Sequence, residues 1–439
     1  MVFLIKTVQL LLSLSILVII HEFGHFGFAK LFKTRVEKFY LFFDPWFSLF
    51  KFKKGETEYG IGWIPLGGYV KIAGMIDESM DKEQMALPPK PDEFRSKKAW
   101  QRLLIMLGGV IMNFVLAGVI YILVLFAWGE DYIPVENMKY GISVDSTGYE
   151  LGFRNGDKII SINNKKFEKF SEIQKEILLS DNKTVQVERD GKIVEVKIKD
   201  SQIKSMIDSK HGFIGIRSEF EVADVLKNSN AEKAGIKIGD KLIAANDSSL
   251  KFFDEYVHFF KNHKNEEVEL TVKRSDAQNK KISVMVDSLG HIGVRVNSLA
   301  GIETKHQDYS FFEAIPAGLS MGVEKVSDYL RQFKLIFNPE TKAYNSLGSF
   351  GTIGSMFPAQ WDWHSFWLLT AFLSIMLGVV NILPIPALDG GHVMFVLFEM
   401  ITGRKPSDKF MEYAQIGGFV ILMSLMLFAL KNDIVRFFF

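Results

Sequence analysis

Five residues near the start of the chain, His21-Glu22-Phe23-Gly24-His25, have the types and spacing for metal-assisted hydrolysis. On a helix, positions four apart lie one turn apart on the same face, so two imidazole nitrogens can bind one ion. Glu22 sits beside them, within reach of a water held by that ion. H-E-x-x-H on a helix is the sequence form of this arrangement, with the histidines as zinc ligands and the glutamate as general base. The motif ends a run with no charged residue from Thr7 to Ile20, and the apolar Phe26 to Ala29 follows it. Ionisable groups at bilayer depth are costly and mark sites or pathways. Two histidines make half of a tetrahedral site, so a further ligand has to come from elsewhere in the chain.

Cysteine is absent, which leaves His, Asp and Glu as ligands and removes any disulfide from exported parts. The strongest carboxylate is Asp389, in Asn381-Ile382-Leu383-Pro384-Ile385-Pro386-Ala387-Leu388-Asp389-Gly390-Gly391-His392, just past an uncharged run. Pro384 and Pro386 stop regular helix hydrogen bonding and free carbonyls, which at membrane depth requires polar partners or a cavity. Asp389 would complete a His₂Asp site and leave the fourth position to water. His392 is a competing ligand, and a plain helix N-cap is the alternative role for Asp389.

The elements that must position these residues are apolar. With 439 residues the chain has room for two or three domains, and its net charge of +1 points to no nucleic-acid partner. Apolar residues gather in four blocks, Phe3 to about Leu31, Leu103 to Trp128, Ser365 to Leu388 and Ala414 to Leu430. A hydrocarbon core of about 30 Å needs about 20 such residues, so four transmembrane helices are expected. The first block runs into His21 and Glu22 rather than a small-residue cleavage site, which predicts a retained helix and not a signal peptide. Lys30, Lys33, Arg35 and Lys38 follow it, Arg95, Lys97, Lys98 and Arg102 precede the second, and Arg404, Lys405 and Lys409 separate the last two. Cytoplasmic loops carry the excess of Lys and Arg, so both stretches should be cytoplasmic. Both termini and the long middle region would then face the other side, and the motif would lie nearer the cytoplasm.

From Lys38 to Met75 the sequence is rich in aromatics and glycine, with Glu56 to Ile64 leading into Pro65-Leu66-Gly67-Gly68-Tyr69-Val70-Lys71-Ile72. Alternation broken by glycine pairs predicts short strands and a hairpin. Beside an intramembrane site, such a strand could offer its edge to an extended peptide. Asp77 to Ser96 reads as an exposed charged loop. In the second helix, Gly108-Gly109 allow close helix approach, and Asn113 is placed to hydrogen-bond across to a neighbour.

The polar middle region repeats itself. Gly152-Phe153-Arg154-Asn155-Gly156-Asp157-Lys158-Ile159-Ile160 is echoed by Gly235-Ile236-Lys237-Ile238-Gly239-Asp240-Lys241-Leu242-Ile243. Each copy continues into a strand-like stretch, Thr184 to Val187 and Val268 to Val272. This predicts two copies of one small domain, with the Gly-Asp pair in a tight turn. The pattern resembles PDZ domains, which bind extended peptides by strand addition. Phe311 to Phe337 has the spacing of an amphipathic helix, and the Gly-rich Leu347 to Gly354 reads as a loop.

The expected fold is therefore a polytopic α-helical membrane protein with a membrane-associated β-hairpin region and two tandem PDZ-like α+β domains. Residues 1–129 form the N-terminal membrane part, 130–210 and 211–299 the two PDZ-like domains, 300–360 an amphipathic connecting segment, and 361–439 the C-terminal membrane part. An H-E-x-x-H in the first membrane helix, the PDZ-like pair, N-x-x-P-x-P-x-L-D-G near the end and Gly67-Gly68-Tyr69-Val70-Lys71 together resemble the site-2 protease family over almost the whole length. The resemblance implies an intramembrane zinc metalloprotease of the bacterial inner membrane, with Zn2+ as cofactor. Its substrates would be single-pass membrane proteins cut within their transmembrane segments, anti-sigma factors or signal-peptide remnants. It implies His21, His25 and Asp389 as zinc ligands, Glu22 as the catalytic acid/base, and Asn381 as a substrate-holding residue. Gly67, Gly68 and Tyr69 would lie on the substrate-presenting edge. Val110 stands where the family usually has proline, Ser349-Phe350 where it has Gly-Pro, and Met376 where a polar residue is frequent. A non-catalytic adaptor whose PDZ-like pair binds exported tails is the alternative.

Overall fold

The structure is a computed structural model that describes residues 1–75, 88–180, 183–209, 212–274 and 279–438. Its contacts form two compact units. One holds Met1–Gly129, Asp308–Phe333 and the chain from Asn345 onward; the other holds Glu130–Gln307 and Lys334–Tyr344.

The first unit is built on helices α1 (Val2–Leu31), α2 (Ala99–Trp128), α3 (Phe311–Phe337, as far as Phe333), α4 (Phe350–Met356), α5 (Trp363–Asn381), α6 (Asp389–Thr402) and α7 (Asp408–Phe438). Four of them, α1, α2, α5 and α7, are long and apolar enough to cross a membrane. Their outward residues include Phe3, Leu4, Val115, Leu123, Phe419 and Leu425, all more than a third exposed. Water-soluble monomers rarely expose so much contiguous apolar surface, so these faces suit lipid. The third apolar block is not one helix to Leu388. It breaks after Asn381, because Pro384 and Pro386 cannot continue the hydrogen-bond ladder, and it resumes as α6 with Asp389 in the first turn.

Helix α2 is the centre of this unit. Gly24 of α1 and Gly108 of α2 meet backbone to backbone, and a Cβ on either would fall onto the partner's carbonyl. Helix α5 crosses α2 where Gly378 meets Phe114 and Asn113. Ser374 Oγ donates to Asn113 O at 2.7 Å, and Thr370 Oγ1 donates to Ser13 Oγ at 3.0 Å. Small residues and buried hydroxyls are what bind helices together where the hydrophobic effect is absent.

Between α1 and α2 lies a four-stranded sheet, β1 (Val36–Phe43), β2 (Phe50–Lys54), β3 (Thr57–Ile61) and β4 (Ile64–Ile72), in the order β2-β3-β1-β4. The expected hairpin is β2–β3, turning at Gly55 with φ 64°. The sheet is larger than a hairpin because β1 pairs β3 in parallel and β4 antiparallel. That leaves β4 as an edge strand, packed along α1. Of the stretch Asp77 to Ser96, residues 77–87 lie outside the described residues. Residues 88–91 and Ser96 are exposed as expected, but Glu93 and Phe94 are buried, Phe94 against Ala29, Val36, Ile72 and Ile105.

Leu347 to Gly354 is also more than a loop, since α4 begins at Phe350. Asp433 of α7 caps it, accepting from Ser349 N at 3.0 Å, Ser349 Oγ at 2.6 Å, Thr352 N at 3.1 Å and from Thr352 Oγ1. A cap supplied from 81 to 84 residues away carries no local signal.

The second unit shows the sequence repeat as repeated construction. Helix Ser146–Leu151 ends at Gly152 and helix Asn230–Ala234 at Gly235, both left-handed. Asp157 accepts from Arg154 N and from Arg189; Asp240 accepts from Lys237 N and from Arg274. Arg189 Nη2 also donates to Gly152 O and Arg274 Nη2 to Gly235 O, each at 2.8 Å. The aspartate of each Gly-Asp turn thus ties the turn to a strand end, which is why the pair recurs. Each copy then adds a strand, a ten-residue helix (Phe170–Leu179 and Phe253–Asn262) and a hairpin (Lys183–Arg189 with Lys192–Ile198, Glu267–Lys273 with Asn279–Met285) around its own apolar core.

Candidate metal centre

His21 and His25 lie on the buried face of α1, one turn apart, and Asp389 opens α6. The break after α5 returns the chain so that the three side chains converge. His21 Nε2 is 3.2 Å from His25 Nε2 and 3.2 Å from Asp389 Oδ2, and His25 Nε2 is 3.3 Å from Asp389 Oδ2. Among the described residues this is the one group of three or more His, Asp or Glu ligand atoms gathered closely enough to share an ion.

The donor set fits zinc. With ligand bonds of about 2.0–2.1 Å, tetrahedral zinc places its ligand atoms about 3.3 Å apart. The observed triangle has that edge. Asp389 Oδ2 is buried without a hydrogen-bond partner, a state that costs free energy unless something satisfies it.

The imidazoles are aimed from α2. Ile105 O accepts from His25 Nδ1 at 2.8 Å, which fixes the Nδ1–H tautomer and directs the Nε2 lone pair at Asp389. The amide of Asn113 lies 3.0 Å from His21 Nδ1, and its Oδ1 has no partner. Turned over, that amide accepts Nδ1–H through Oδ1, which relieves the orphaned atom and frees His21 Nε2 in the same way. Gly109 leaves the room, for a Cβ there would stand 2.5 Å from His25 Nε2 and 2.6 Å from His21 Cε1.

Of the other sequence candidates, Asn381 reaches the triangle and Gly68 reaches Glu22 beside it, whereas Tyr69 and Gly67 pack on Asp44, Tyr40 and Phe43. Glu22 is half-buried on the next position of α1. Gly68 of β4 packs against Val18 and Glu22, and a Cβ on Gly68 would come within 3.6 Å of Glu22 Cγ. Tyr69, next on the strand, donates to Asp44 Oδ1 at 2.8 Å, and Gly67 takes φ 153°. Asn381 Nδ2 is 3.3 Å from His21 Nε2. His392 is not one of the three converging ligands. Asn113 does bond across to a neighbour, and the neighbour is His21. Ile105 O and Gly109 were not legible as parts of the site: a carbonyl has no residue type, and a glycine's use shows only when its neighbour is known.

Comparison with known proteins agrees with this geometry. The model of peptidase family M50 matches residues 9–425. The chain is 28% identical to a Vibrio cholerae protein named a zinc metalloprotease, over 98% of each chain. It is 28% identical to a Borreliella burgdorferi protein of the same name over 96% of each. With the regulator of sigma E protease of Haemophilus influenzae it shares 27%, over 97% of this chain and 98% of that one. A match of that length, around a His₂Asp cluster with a neighbouring glutamate, places the chain in peptidase family M50, the site-2 protease family of zinc metalloproteases.

Proposed function

We propose that this zinc metalloprotease cuts single-pass membrane proteins within their transmembrane segments. The observation that carries the reading is the meeting of the His21–His25–Asp389 triangle, Glu22 and an open strand edge at one place among membrane-length helices. His21, His25 and Asp389 would hold the ion, with Ile105 O and Asn113 orienting the imidazoles. Bound there, zinc lowers the pKa of its water to about 7 and polarises the scissile carbonyl. Glu22 accepts the proton of the attacking water and delivers it to the amine as the C–N bond breaks.

A transmembrane substrate is helical, and its amides are hidden until it unwinds. Among the described residues edge strand β4 pairs with β1 alone, and beside Glu22 its other edge would take an extended segment, so Gly67, Gly68 and Tyr69 would bind substrate by strand addition. Asn381, the last residue of α5 and 3.3 Å from His21 Nε2, would hold the substrate backbone. The repeated modules of the second unit are PDZ-like and would screen or bind exported tails. By the distribution of Lys and Arg, this unit and both termini face the periplasm, with the site nearer the cytoplasm of an inner membrane. Substrates of the anti-sigma class suit the likeness to the regulator of sigma E protease; signal-peptide remnants share the same chemistry.

Co-expression with such candidate substrates tests the reading. Glu22→Gln should retain zinc and lose cleavage by about 10²-fold or more. Full cleavage by that variant would overturn the assignment of Glu22.

A further inference from the structure

Arg102 stands in the first turn of α2, and Glu399 in the last turn of α6. Each charge is misplaced for its own helix, since the N-terminal end of the helix dipole disfavours a cation and the C-terminal end an anion. Both side chains are largely withdrawn from water, at 9% and 15% exposure, and Arg102 Nη2 meets Glu399 Oε1 at 2.5 Å. Arg102 Nε donates to Lys97 O at 3.2 Å. Neither charge has support from its own helix end, so each depends on the other, and removal of one would leave the other buried and uncompensated.

What the pair joins is more telling than its strength. Helix α2 supplies Ile105 O, Gly109 and Asn113, which orient and accommodate both imidazoles. Helix α6 begins with Asp389, and at 1.5 Å per residue Glu399 lies about 15 Å further along it. The other root of α6 is the proline-containing turn before Asp389, where Ala387 takes φ 84°. A carboxylate about 6 Å off a helix axis moves about 1 Å for each 10° of roll. Metal–ligand distances tolerate about 0.2 Å. The carboxylate therefore needs a second fixed point on its helix.

We propose that Arg102 and Glu399 are positioning residues for the metal centre, their ion pair fixing the roll of α6 on α2 so that Asp389 closes on His21 and His25. This rests on Asp389 being a zinc ligand. The test measures zinc release from the full-length chain in detergent to a chromogenic chelator, for the parent, Glu399→Gln, Arg102→Met and Asp389→Asn. The first two should release zinc about tenfold faster or more, as loss of outer supports does elsewhere. Because the chain has no cysteine, the double substitution Arg102→Cys/Glu399→Cys can be bridged by a bis-methanethiosulfonate reagent. The bridge should restore slow release, which a general loss of folding would not allow. If Glu399→Gln and Arg102→Met release zinc as slowly as the parent while Asp389→Asn releases it fast, the positioning role fails alone. A bridged variant as leaky as its unbridged form also sinks it. Slow release from Asp389→Asn would remove the ligand assignment and this proposal with it.

Discussion

Gly109→Ala puts the geometry of the metal centre under direct strain. The added methyl would stand 2.5 Å from His25 Nε2, 2.6 Å from His21 Cε1 and 2.8 Å from His21 Nδ1, where ordinary contact begins at 3.4 Å. The misfit is close to an ångström on two rings at once. Retreat of helix α2 from α1 would give up the backbone contact of Gly108 with Gly24 that holds the two helices together. The imidazoles must swing instead, away from Ile105 O and Asn113 and out of the triangle. Overpacking of this kind costs about 1–3 kcal/mol, and at 1.4 kcal/mol per decade that is about 5- to 150-fold in zinc affinity if binding must reverse the swing. The assay is zinc content and chelator competition on the purified full chain, followed by cleavage of a membrane substrate. Gly27→Ala, on the same α1 and with nothing near its added methyl, serves as control and should match the parent. Wild-type zinc retention in Gly109→Ala would refute the claim that the rings are held where they stand.

Other outcomes follow from the same coordinates. Gly68→Ala drives a methyl to 2.6 Å from Tyr40 O and 2.7 Å from Val18 Cγ1, lifting β4 off α1; cleavage should fall while zinc content stays unchanged. Prolonged dialysis against a strong chelator should abolish cleavage, and zinc should restore it more fully than magnesium, whose preference for oxygen ligands a His₂Asp set does not meet. In the second unit, burial pushes the Glu219 carboxyl up, but the Tyr140 hydroxyl and the Lys251 and Lys241 ammonium groups outweigh it and hold the value below the usual 4.5. A depressed carboxylate adds stability above its unfolded value and loses it as pH falls through the folded one. Glu219→Gln should therefore lower heat stability at neutral pH and have little effect near pH ~3.

Much of this was legible in the chain because it is local. H-E-x-x-H needs one helix, four apolar runs announce themselves by length, and the duplicated Gly-Asp turn repeats its spacing because each aspartate ties the same two neighbours. Asp389 stood out as a carboxylate beside an uncharged run broken by proline. What stayed hidden depends on distant pairing. The parallel match of β1 with β3 skips a hairpin, α4 is capped by Asp433 from across the unit, and α6 appears only where the third apolar run proves to be broken. Asn113 could be foreseen as a bridging amide, but not as the partner of His21.

The contact of Gly24 with Gly108 limits how this protein can open. Most helix pairs meet through side chains, which can re-pack as the helices slide or part. Here main chain rests on main chain directly below the imidazoles, with no soft layer to take up movement. The seam between α1 and α2 is then closed to any entering polypeptide, since widening it would pull His21 and His25 from the groups that aim them. The proposed substrate would then approach from the other flank of α1, past the border of β4 that pairs with no strand among the described residues, so that reading of its backbone would come before access to Glu22.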